Sequence, residues 1–390
     1  MFIAIAGLTL DFLRLNIFFV LRASLKTSGY KRKNYVLVKK KQERMKLKSK
    51  GLFDEQFRLD KLSMQSDPLV KLKKHIDFEI FRKPLDKYFE KGKDRSQGGR
   101  PRFDYILMFK ILILQRYYNL SDDNTEYAIL DRLSFMRFLG LTISDSVPDA
   151  KTIWNFKNEL SKGNLVEELF KLLDNTLEKN HVILHKGKMV DASLVEVPIQ
   201  RNSRDENGQL KEGNIPEDWK ENPAKLSQKD IDAKWYTQKG KNHFGYKDHV
   251  KADIKTKLIT GYKVTPANVR EGDVLVDLLN SKDREQKIYA DKAYYDEKNE
   301  SFLKKKGMIS RIHEKGCRYK KLTKKQIGNN TLKSKTRARI EHIFGFMTNS
   351  MNRMYIRVRS LIKAKTTIGL MNITYNLFRL TQLNITLKQR

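Results

Sequence analysis

Hydrophobic residues recur at helical spacing through the first 180 residues of the chain. Residues 54–90 have the pattern of short helices with breaks, and Asp67-Pro68 is a helix-start signal, because an acidic cap precedes a proline at the first helical position. From Asp104 the apolar positions follow a strong helical period, and further helices are predicted near 123–139, 149–161 and 164–180. The pattern therefore predicts an all-helical N-terminal domain over residues 45–182.

After His185 the pattern changes to short apolar runs that predict β-strands. These runs cover residues 187–197, 242–252, 256–265, 287–291 and 308–313. Helical stretches at 273–281 and 296–306 separate the last three runs, and helices return after residue 314. Strands followed by strand–helix alternation predict an α+β or α/β domain with a mixed sheet over residues 183–384. A polar, turn-rich insertion interrupts that domain at about 200–241.

The first 44 residues do not fit either pattern. An apolar stretch is interrupted by Asp11 and Arg14, and each charge at the centre of a spanning helix costs about 2.5–3.5 kcal/mol. A membrane-spanning helix is therefore disfavoured, and no clear signal peptide is present. We expect a poorly ordered extension, or a translation start at Met45; a membrane anchor is the alternative.

The chain is strongly basic. It has 79 Lys and Arg against 46 Asp and Glu, a formal net charge of +33. Such a surplus favours a polyanionic partner and indicates nucleic acid, although the coding bias of an AT-rich genome also inflates lysine content. The single cysteine, Cys317, excludes a disulfide framework and a thiolate zinc cluster. The composition is typical of a protein of the reducing cytoplasm whose metals, if any, have oxygen ligands.

Three acidic residues stand where metal-binding carboxylates would be placed. Asp191 and Asp291 each follow an apolar run predicted to be a buried strand, and Glu341 lies in a helical segment. The carboxyl edge of an α/β sheet is where ligands bind, and magnesium needs only a few carboxylates together with water and phosphate. The alternative is that such aspartates cap turns or face solvent.

A basic segment without acidic residues lies between Glu314 and Glu341 and resembles a loop because of Gly328 and the Asn329-Asn330 pair. Its position before Glu341 favours a strip that contacts phosphates, and a solvated charge run is the alternative. The candidate DNA-binding residues in it are Lys320, Lys321, Lys324, Lys325, Arg337 and Arg339. Arg337 lies one helical turn before Glu341, so it either pairs with that acid or binds phosphate. Arg100 and Arg102 lie in a glycine-rich link that is a flexible joint or enters a minor groove.

Four motifs in this order resemble the DDE transposases of bacterial insertion sequences, close to the insertion sequence five group. They are residues 189–193 (MVDAS), 239–247 (KGKNHFGYK), 289–294 (YADKAY) and 337–345 (RARIEHIFG). The resemblance extends from about Met45 to about Leu383. One departure concerns a Tyr-x-x-Arg-x-x-x-Glu-x6-Lys signature, in which Ser334 replaces the tyrosine and Thr348 the lysine.

The resemblance implies an RNase H-like catalytic core with Asp191, Asp291 and Glu341 as its acidic triad. It implies two Mg²⁺ ions, with Mn²⁺ as a substitute, one held by Asp191 and Asp291 and the other by Asp191 and Glu341. The reaction implied is hydrolysis at the element ends followed by strand transfer into target DNA.

The partners implied are the terminal inverted repeats and the target DNA, bound by a homodimer in the bacterial cytoplasm without membrane attachment. Two alternatives stay open at the level of the sequence. One is an RNase H-like nuclease without strand transfer, and the other is a domesticated transposase that acts as a DNA-binding regulator.

Overall fold

The computed structural model describes residues 51, 53–65, 67–91, 101–238, 240–316, 319 and 321–388. The predicted extension over residues 1–44 lies outside this part. The described residues of Phe53–Arg390 form one compact unit, and the division near residue 182 stays a prediction.

The helical part consists of α1 (Asp54–Met64), α2 (Pro68–His75), α3 (Arg82–Phe89), α4 (Tyr105–Tyr117), α5 (Asp122–Asp131), α6 (Leu133–Leu139), α7 (Ala150–Lys162) and α8 (Leu165–Lys179).

A mixed sheet follows, as the apolar runs predict. Its strands are β1 (Lys188–Glu196), β2 (Lys234–Gln238), β3 (Lys241–Asp253), β4 (Ile259–Pro266), β5 (Lys287–Tyr289) and β6 (Ile309–Ser310). The strand order is β2-β3-β1-β5-β6, and β4 pairs with β3. The β1–β3, β2–β3 and β3–β4 pairs are antiparallel, whereas β5 runs parallel to β1 and to β6. The sheet is therefore mixed, and its parallel edge follows the strand–helix alternation in the sequence.

The remaining helices are α9 (Arg204–Lys211), α10 (Glu217–Glu221), α11 (Pro223–Ser227), α12 (Leu275–Leu278), α13 (Glu297–Lys305), α14 (Lys324–Arg337), α15 (Glu341–Asn349) and α16 (Leu361–Gln382). The polar insertion thus contains three short helices and the unpredicted strand β2. Its Trp219 is fully buried, and the indole donates a 2.7 Å hydrogen bond to Glu206. The insertion is a folded element because a buried indole anchors it.

Alternate residues of β1 belong to different hydrophobic clusters. Met189 and Val195 lie in the larger cluster, together with the N-terminal helices and α16, and Val190 lies in a smaller one. Side chains alternate between the faces of a strand, so the sheet is covered on both faces. Helix α16 is buried over most of its length, and Asn376 exchanges two 2.8 Å hydrogen bonds with the backbone of Ile259 in β4. No helix in the described ranges is both long and apolar enough to cross a membrane.

The sequence-based prediction of a loop for the basic segment is wrong over its second half. Residues Lys324–Arg337 form helix α14, and a 3-10 turn, Ala338–Ile340, joins it to α15. Thr323 begins α14 in a capping box with Gln326, in which each side chain bonds the other residue's backbone N–H. Gly328 and the two asparagines lower helix propensity, but this cap and packing against β1 and β5 outweigh it.

Asp248 of β3 is a buried carboxyl with no cationic partner in the described structure. Its Oδ1 accepts a 3.2 Å hydrogen bond from the Asn372 amide of α16, and its Oδ2 has no partner. Burial raises the pKa of Asp248 from 3.8 to about 7, because the charged form is poorly solvated there. Between those pH values the folded state keeps a proton that the unfolded state has lost, so stability falls as pH rises through this window.

We therefore expect Asp248→Asn to stabilise the protein by roughly 2–4 kcal/mol at pH 8, an advantage that disappears as pH falls towards 4. Urea unfolding at several pH values measures it. Asp205→Asn, at an exposed position in α9, is the matched control and should leave the pH dependence of the free energy of unfolding unchanged. Equal pH slopes for Asp248→Asn and the wild type would contradict the assignment.

Candidate active site

The parallel pairing of β1 with β5 brings two of the predicted acids to the same level of the sheet. Lys188 pairs with Ile288 and Met189 with Tyr289, so Asp191 and Asp291 follow at equal distance along neighbouring strands. Adjacent strands lie about 4.8 Å apart, and both acids fall on the face to which Met189 and Tyr289 belong. From the sequence alone, the two acids were expected to lie close together only if their strands were neighbours in the sheet.

One detail of the prediction is wrong, because Asp191 does not end its strand. It is the fourth residue of β1, which continues to Glu196 in antiparallel pairing with β3. The parallel partner, β5, ends at Tyr289, two residues before Asp291. Asp191 therefore lies where the parallel pairing stops, at the carboxyl edge of β5 but within β1. Arg337 of α14 contacts Asp191 at this point.

Asp191 is largely buried, with a side chain 17% exposed. Its Oδ1 accepts the Ala192 backbone N–H at 3.0 Å, and its Oδ2 accepts Arg337 Nη1 at 2.6 Å. Burial nevertheless raises the pKa of Asp191 to about 6, and the charges of Glu271 and Asp291 raise it further while Arg337 opposes the change. Burial therefore disfavours the ionised form of Asp191, and Arg337 compensates for this only in part.

Asp291 begins the 3-10 turn Lys292–Tyr294, where its Oδ1 accepts the Lys292 backbone N–H at 2.6 Å. His313 Nδ1 lies 3.4 Å from the same oxygen, and His313 Nε2 lies 3.3 Å from Ser334 Oγ in α14. Burial lowers the pKa of His313, although Asp291 opposes this. Ser334, which replaces the tyrosine of the family signature, thus connects α14 to Asp291 through a histidine that the sequence analysis did not single out.

Glu341 is the first residue of α15 and follows the 3-10 turn Ala338–Ile340. Ile340 and Ile343 are buried and fix the helix against the core, whereas the Glu341 side chain is 67% exposed. Its Oε1 lies 3.8 Å from Arg337 Nη2. Arg337 thus lies between two acids, with its close bond to Asp191 and only a long contact to Glu341.

The three acids do not form a closed cluster. Within the residues that the structure describes, no group of three or more Asp, Glu, His or Cys side chains converges closely enough to hold a metal ion. Asp191 and Asp291 lie together, and Arg337 connects Asp191 to Glu341. The assignment of all three to one metal centre stays a proposal.

Tyr294 and Glu271 also lie at this site, although neither was predicted as a site residue. Tyr294 is fully buried, and its hydroxyl has no hydrogen-bond partner in the described structure. Burial raises its pKa, and Asp191, Glu271 and Asp291 raise it further. Asn299 donates 3.0 Å bonds to the carbonyls of Gly272 and Tyr294, which holds the Glu271 turn against the Asp291 turn. Tyr294 lies in a motif quoted above, whereas nothing in the sequence distinguishes Glu271.

The predicted DNA-binding residues are spread over several elements. Lys324 and Lys325 are exposed at the start of α14, Lys321 is exposed shortly before it, and Arg102 is exposed before α4. Arg339 donates a 3.0 Å bond to the backbone carbonyl of Ile254, which is a structural contact. Lys320 and Arg100 lie outside the described residues.

Two family models match the chain on either side of the predicted domain boundary. The Transposase domain (DUF772) model matches residues 57–159, and the Transposase DDE domain model matches residues 185–377, which include Asp191, Asp291 and Glu341. The chain belongs to the DDE transposases. It is accordingly a metal-dependent enzyme that cleaves DNA and transfers strands.

Among solved structures, this DDE transposase is similar to the piggyBac transposase, in a cryo-EM structure of its synaptic complex with hairpin DNA. The identity is 12%, the match covers 83% of this chain and 77% of that chain, and the TM-score is 0.39. The family assignment rests on the domain models and not on this likeness.

The donor set at the site fits a hard divalent cation. Carboxylate oxygens are the ligands that such ions prefer. Asp191 carries a charge that its surroundings disfavour, and the Tyr294 hydroxyl lies unpartnered among the same acids. Both features are those of a site that becomes complete when a cation and its associated oxygens are bound.

Proposed function

We propose that this DDE transposase belongs to the insertion sequence five group, cleaves DNA at the ends of its element and joins those ends to target DNA. The observation that carries the proposal is the level placement of Asp191 and Asp291 on neighbouring parallel strands, beside the helices that carry Arg337 and Glu341. We further propose that the sheet and its flanking helices form an RNase H-like core, and that the helical part before residue 182 is a DNA-binding domain.

The acids have distinct roles in this proposal. Asp191 would be shared by two Mg²⁺ ions, with Asp291 as the further ligand of one and Glu341 as the further ligand of the other, and Mn²⁺ would serve as a substitute. When bound, such a pair of ions activates the attacking oxygen and stabilises the leaving oxygen of an in-line displacement. Asp191 and Asp291 must be ionised to bind them, and His313 orients Asp291 through the 3.4 Å contact.

Arg337 holds Asp191 and Glu341 on one guanidinium until the substrate arrives. Its Nη1 bonds Asp191 at 2.6 Å, and its Nη2 contacts Glu341 at 3.8 Å. A planar guanidinium also matches the two oxygens of a phosphate, so Arg337 can exchange a carboxylate for the scissile phosphate. Arg339 has no such role in the proposal, because its guanidinium bonds a backbone carbonyl.

Helix α14 supplies a surface for DNA next to these acids. It contains no acidic residue and no buried residue, and its exposed lysines lead towards Arg337. Basic side chains on an exposed helix contact phosphates and position the duplex without reading its sequence. We propose that Lys321, Lys324 and Lys325 contact the element end, whose terminal inverted repeats two protomers hold as a homodimer in the bacterial cytoplasm.

Strand transfer is the activity that distinguishes this proposal from its alternatives. A DNA fragment that ends in the element's terminal repeat with a free 3′-hydroxyl should be joined covalently to a supercoiled plasmid when Mg²⁺ is added. Gel analysis of the plasmid measures the joined product. Nicking without joining would instead support a nuclease, and binding without either reaction would support a DNA-binding regulator.

A further inference from the structure

A basic cleft lies away from the acidic site, between the helical part and the C-terminal segment. It consists of two neighbouring cavities of about 350 and 340 Å³ that share Arg357, Val358 and Arg359. The first cavity is also lined by Arg116 of α4, Trp154 of α7 and Lys363 of α16. Hereafter "the basic cleft" denotes these two cavities.

Four cations of the basic cleft form no ion pair in the described structure. They are Arg116, Arg357, Arg359 and Lys363, whereas Lys157, which lines the same cleft, pairs with Asp122. The Arg116 guanidinium donates one long bond, 3.4 Å, to the Leu120 carbonyl, and Arg359 donates one of 3.3 Å to the Ser227 carbonyl. A guanidinium has five N–H donors, so most donors of Arg116 and Arg359 have no hydrogen-bond partner in the described structure.

Three acids line the cleft, and two of them, Asp122 and Asp230, bond other groups, whereas Asp123 is exposed. Asp122 accepts bonds from Lys157 and from the Gln115 amide, and Asp230 accepts two 2.8 Å contacts from the Tyr246 hydroxyl. Burial lowers the pKa of Arg116 to about 10, and the positive charge of Arg357 contributes to this lowering. Asp122 opposes this lowering, but the cations that line the cleft outnumber its acids, so the cleft carries a net positive charge that attracts anions.

The basic cleft is built onto the strand that carries Asp191. The Glu196 backbone N–H donates to the Met354 carbonyl at 3.1 Å, and the Ile356 N–H donates to the Glu196 carbonyl at 3.0 Å. The segment before Arg357 is thus fixed to the end of β1, and Val197 lines the second cavity. Six residues of extended chain separate Val197 from Asp191, which corresponds to about 20 Å. That span is roughly six base pairs of duplex at 3.4 Å per pair.

We infer that the basic cleft is a second DNA contact, which binds backbone phosphates about half a helical turn from the phosphodiester at Asp191. Arg357 and Arg359 contact phosphates at its rim, Arg116 supplies charge from below, and Trp154 lies beside the strand. Trp154 is 48% exposed, and the Lys363 ammonium lies 5.8 Å from its ring. This inference rests on the proposed function only in taking DNA as the ligand.

Binding of a fluorescein-labelled 30-base-pair duplex, measured by anisotropy over a range of NaCl concentrations in EDTA, tests the inference. Loss of two phosphate contacts lowers the slope of log K against log salt by about 1.8. We expect that loss, with affinity at least tenfold weaker, for the Arg357→Gln/Arg359→Gln variant. The Arg357→Lys/Arg359→Lys variant should keep most of the slope because it keeps both charges.

The matched control removes two exposed charges elsewhere, with Lys304→Gln/Lys305→Gln in α13. A decrease for the arginine pair no larger than for this control would overturn the inference. Thermal unfolding of each variant verifies that the fold is intact.

Trp154 gives a local readout. The other tryptophans are Trp219, which is fully buried, and Trp235, which is 47% exposed. In a Trp235→Phe background, the duplex should change the Trp154 emission, and unchanged emission at saturating DNA would also contradict the inference.

A protein that binds through the cleft but never cleaves would contradict the proposed function alone. One that cleaves normally with an unchanged salt slope in the arginine variant would contradict this inference alone.

Discussion

Asp191→Asn is expected to lower the rate of DNA strand cleavage by a factor on the order of 10³ or more. An amide keeps the shape of the side chain but removes the charge shared by both proposed metal positions, which is worth several kcal/mol in such centres. Each 1.4 kcal/mol corresponds to a tenfold change in rate. DNA binding should survive, because removal of a negative charge does not weaken attraction to phosphates. Cleavage of a labelled duplex under single-turnover conditions measures the effect.

The control for this variant is Asp205→Asn, which neutralises an exposed acid in α9 and should leave cleavage unchanged. Asp191→Asn also weakens the 2.6 Å bond with Arg337, so the free energy of unfolding has to be measured beside the rate. A stable Asp191→Asn protein that still cleaves at the rate of the wild type would refute the assignment of Asp191 to the reaction.

The second large effect is expected for Lys251→Met, on stability. Lys251 in β3 and Asp283 form a 2.7 Å ion pair in which both side chains are 1% exposed. Asp283 also accepts the Asn280 backbone N–H at 2.9 Å, and its Oδ1 has no partner. Removal of one member of a buried pair leaves an uncompensated charge and costs about 3–5 kcal/mol. The buried Lys188 nearby offsets part of this, so the lower end of the range is expected.

Chemical denaturation of Lys251→Met measures this cost. Lys263→Met is the matched control: it breaks the exposed pair between Lys263, on the adjacent strand β4, and Asp277 of α12, and should cost about 0–1 kcal/mol. Lys251→Met combined with Asp283→Leu should recover much of the loss, since neither charge then remains buried. Equal destabilisation by the buried and exposed substitutions would contradict the account of this pair.

The sequence predicted those parts of the fold that depend on local pattern. Helical periodicity located α4, α7 and α8, and apolar runs located β1, β3, β4 and β5, because burial requires these periods. The acids Asp191 and Asp291 were found because each follows such a run. That Asp191 and Asp291 lie at the same height in the sheet follows from the parallel register of Met189 with Tyr289, which no local sequence pattern encodes.

Other features depend on contacts distant along the chain. The bond between Arg337 and Asp191 joins residues 146 positions apart, whereas helical spacing indicated Glu341 as the partner of Arg337. His313 and Glu271 reach the site only through the folding of β6 and of the turn after β4. The misread loop at α14 is different, because the Thr323–Gln326 capping box was already present in the sequence.

The central claim is that Asp191, Asp291 and Glu341 jointly hold the metal ions at the bond that is cleaved. A crystal structure of the protein with an uncleaved element-end duplex and Mn²⁺ tests it directly, because an anomalous difference map locates the manganese ions. The account predicts two manganese peaks, one touching Asp191 and Asp291 and the other touching Asp191 and Glu341, with Arg337 on a phosphate. Manganese bound elsewhere, or Glu341 still in solvent with the ions in place, would contradict it.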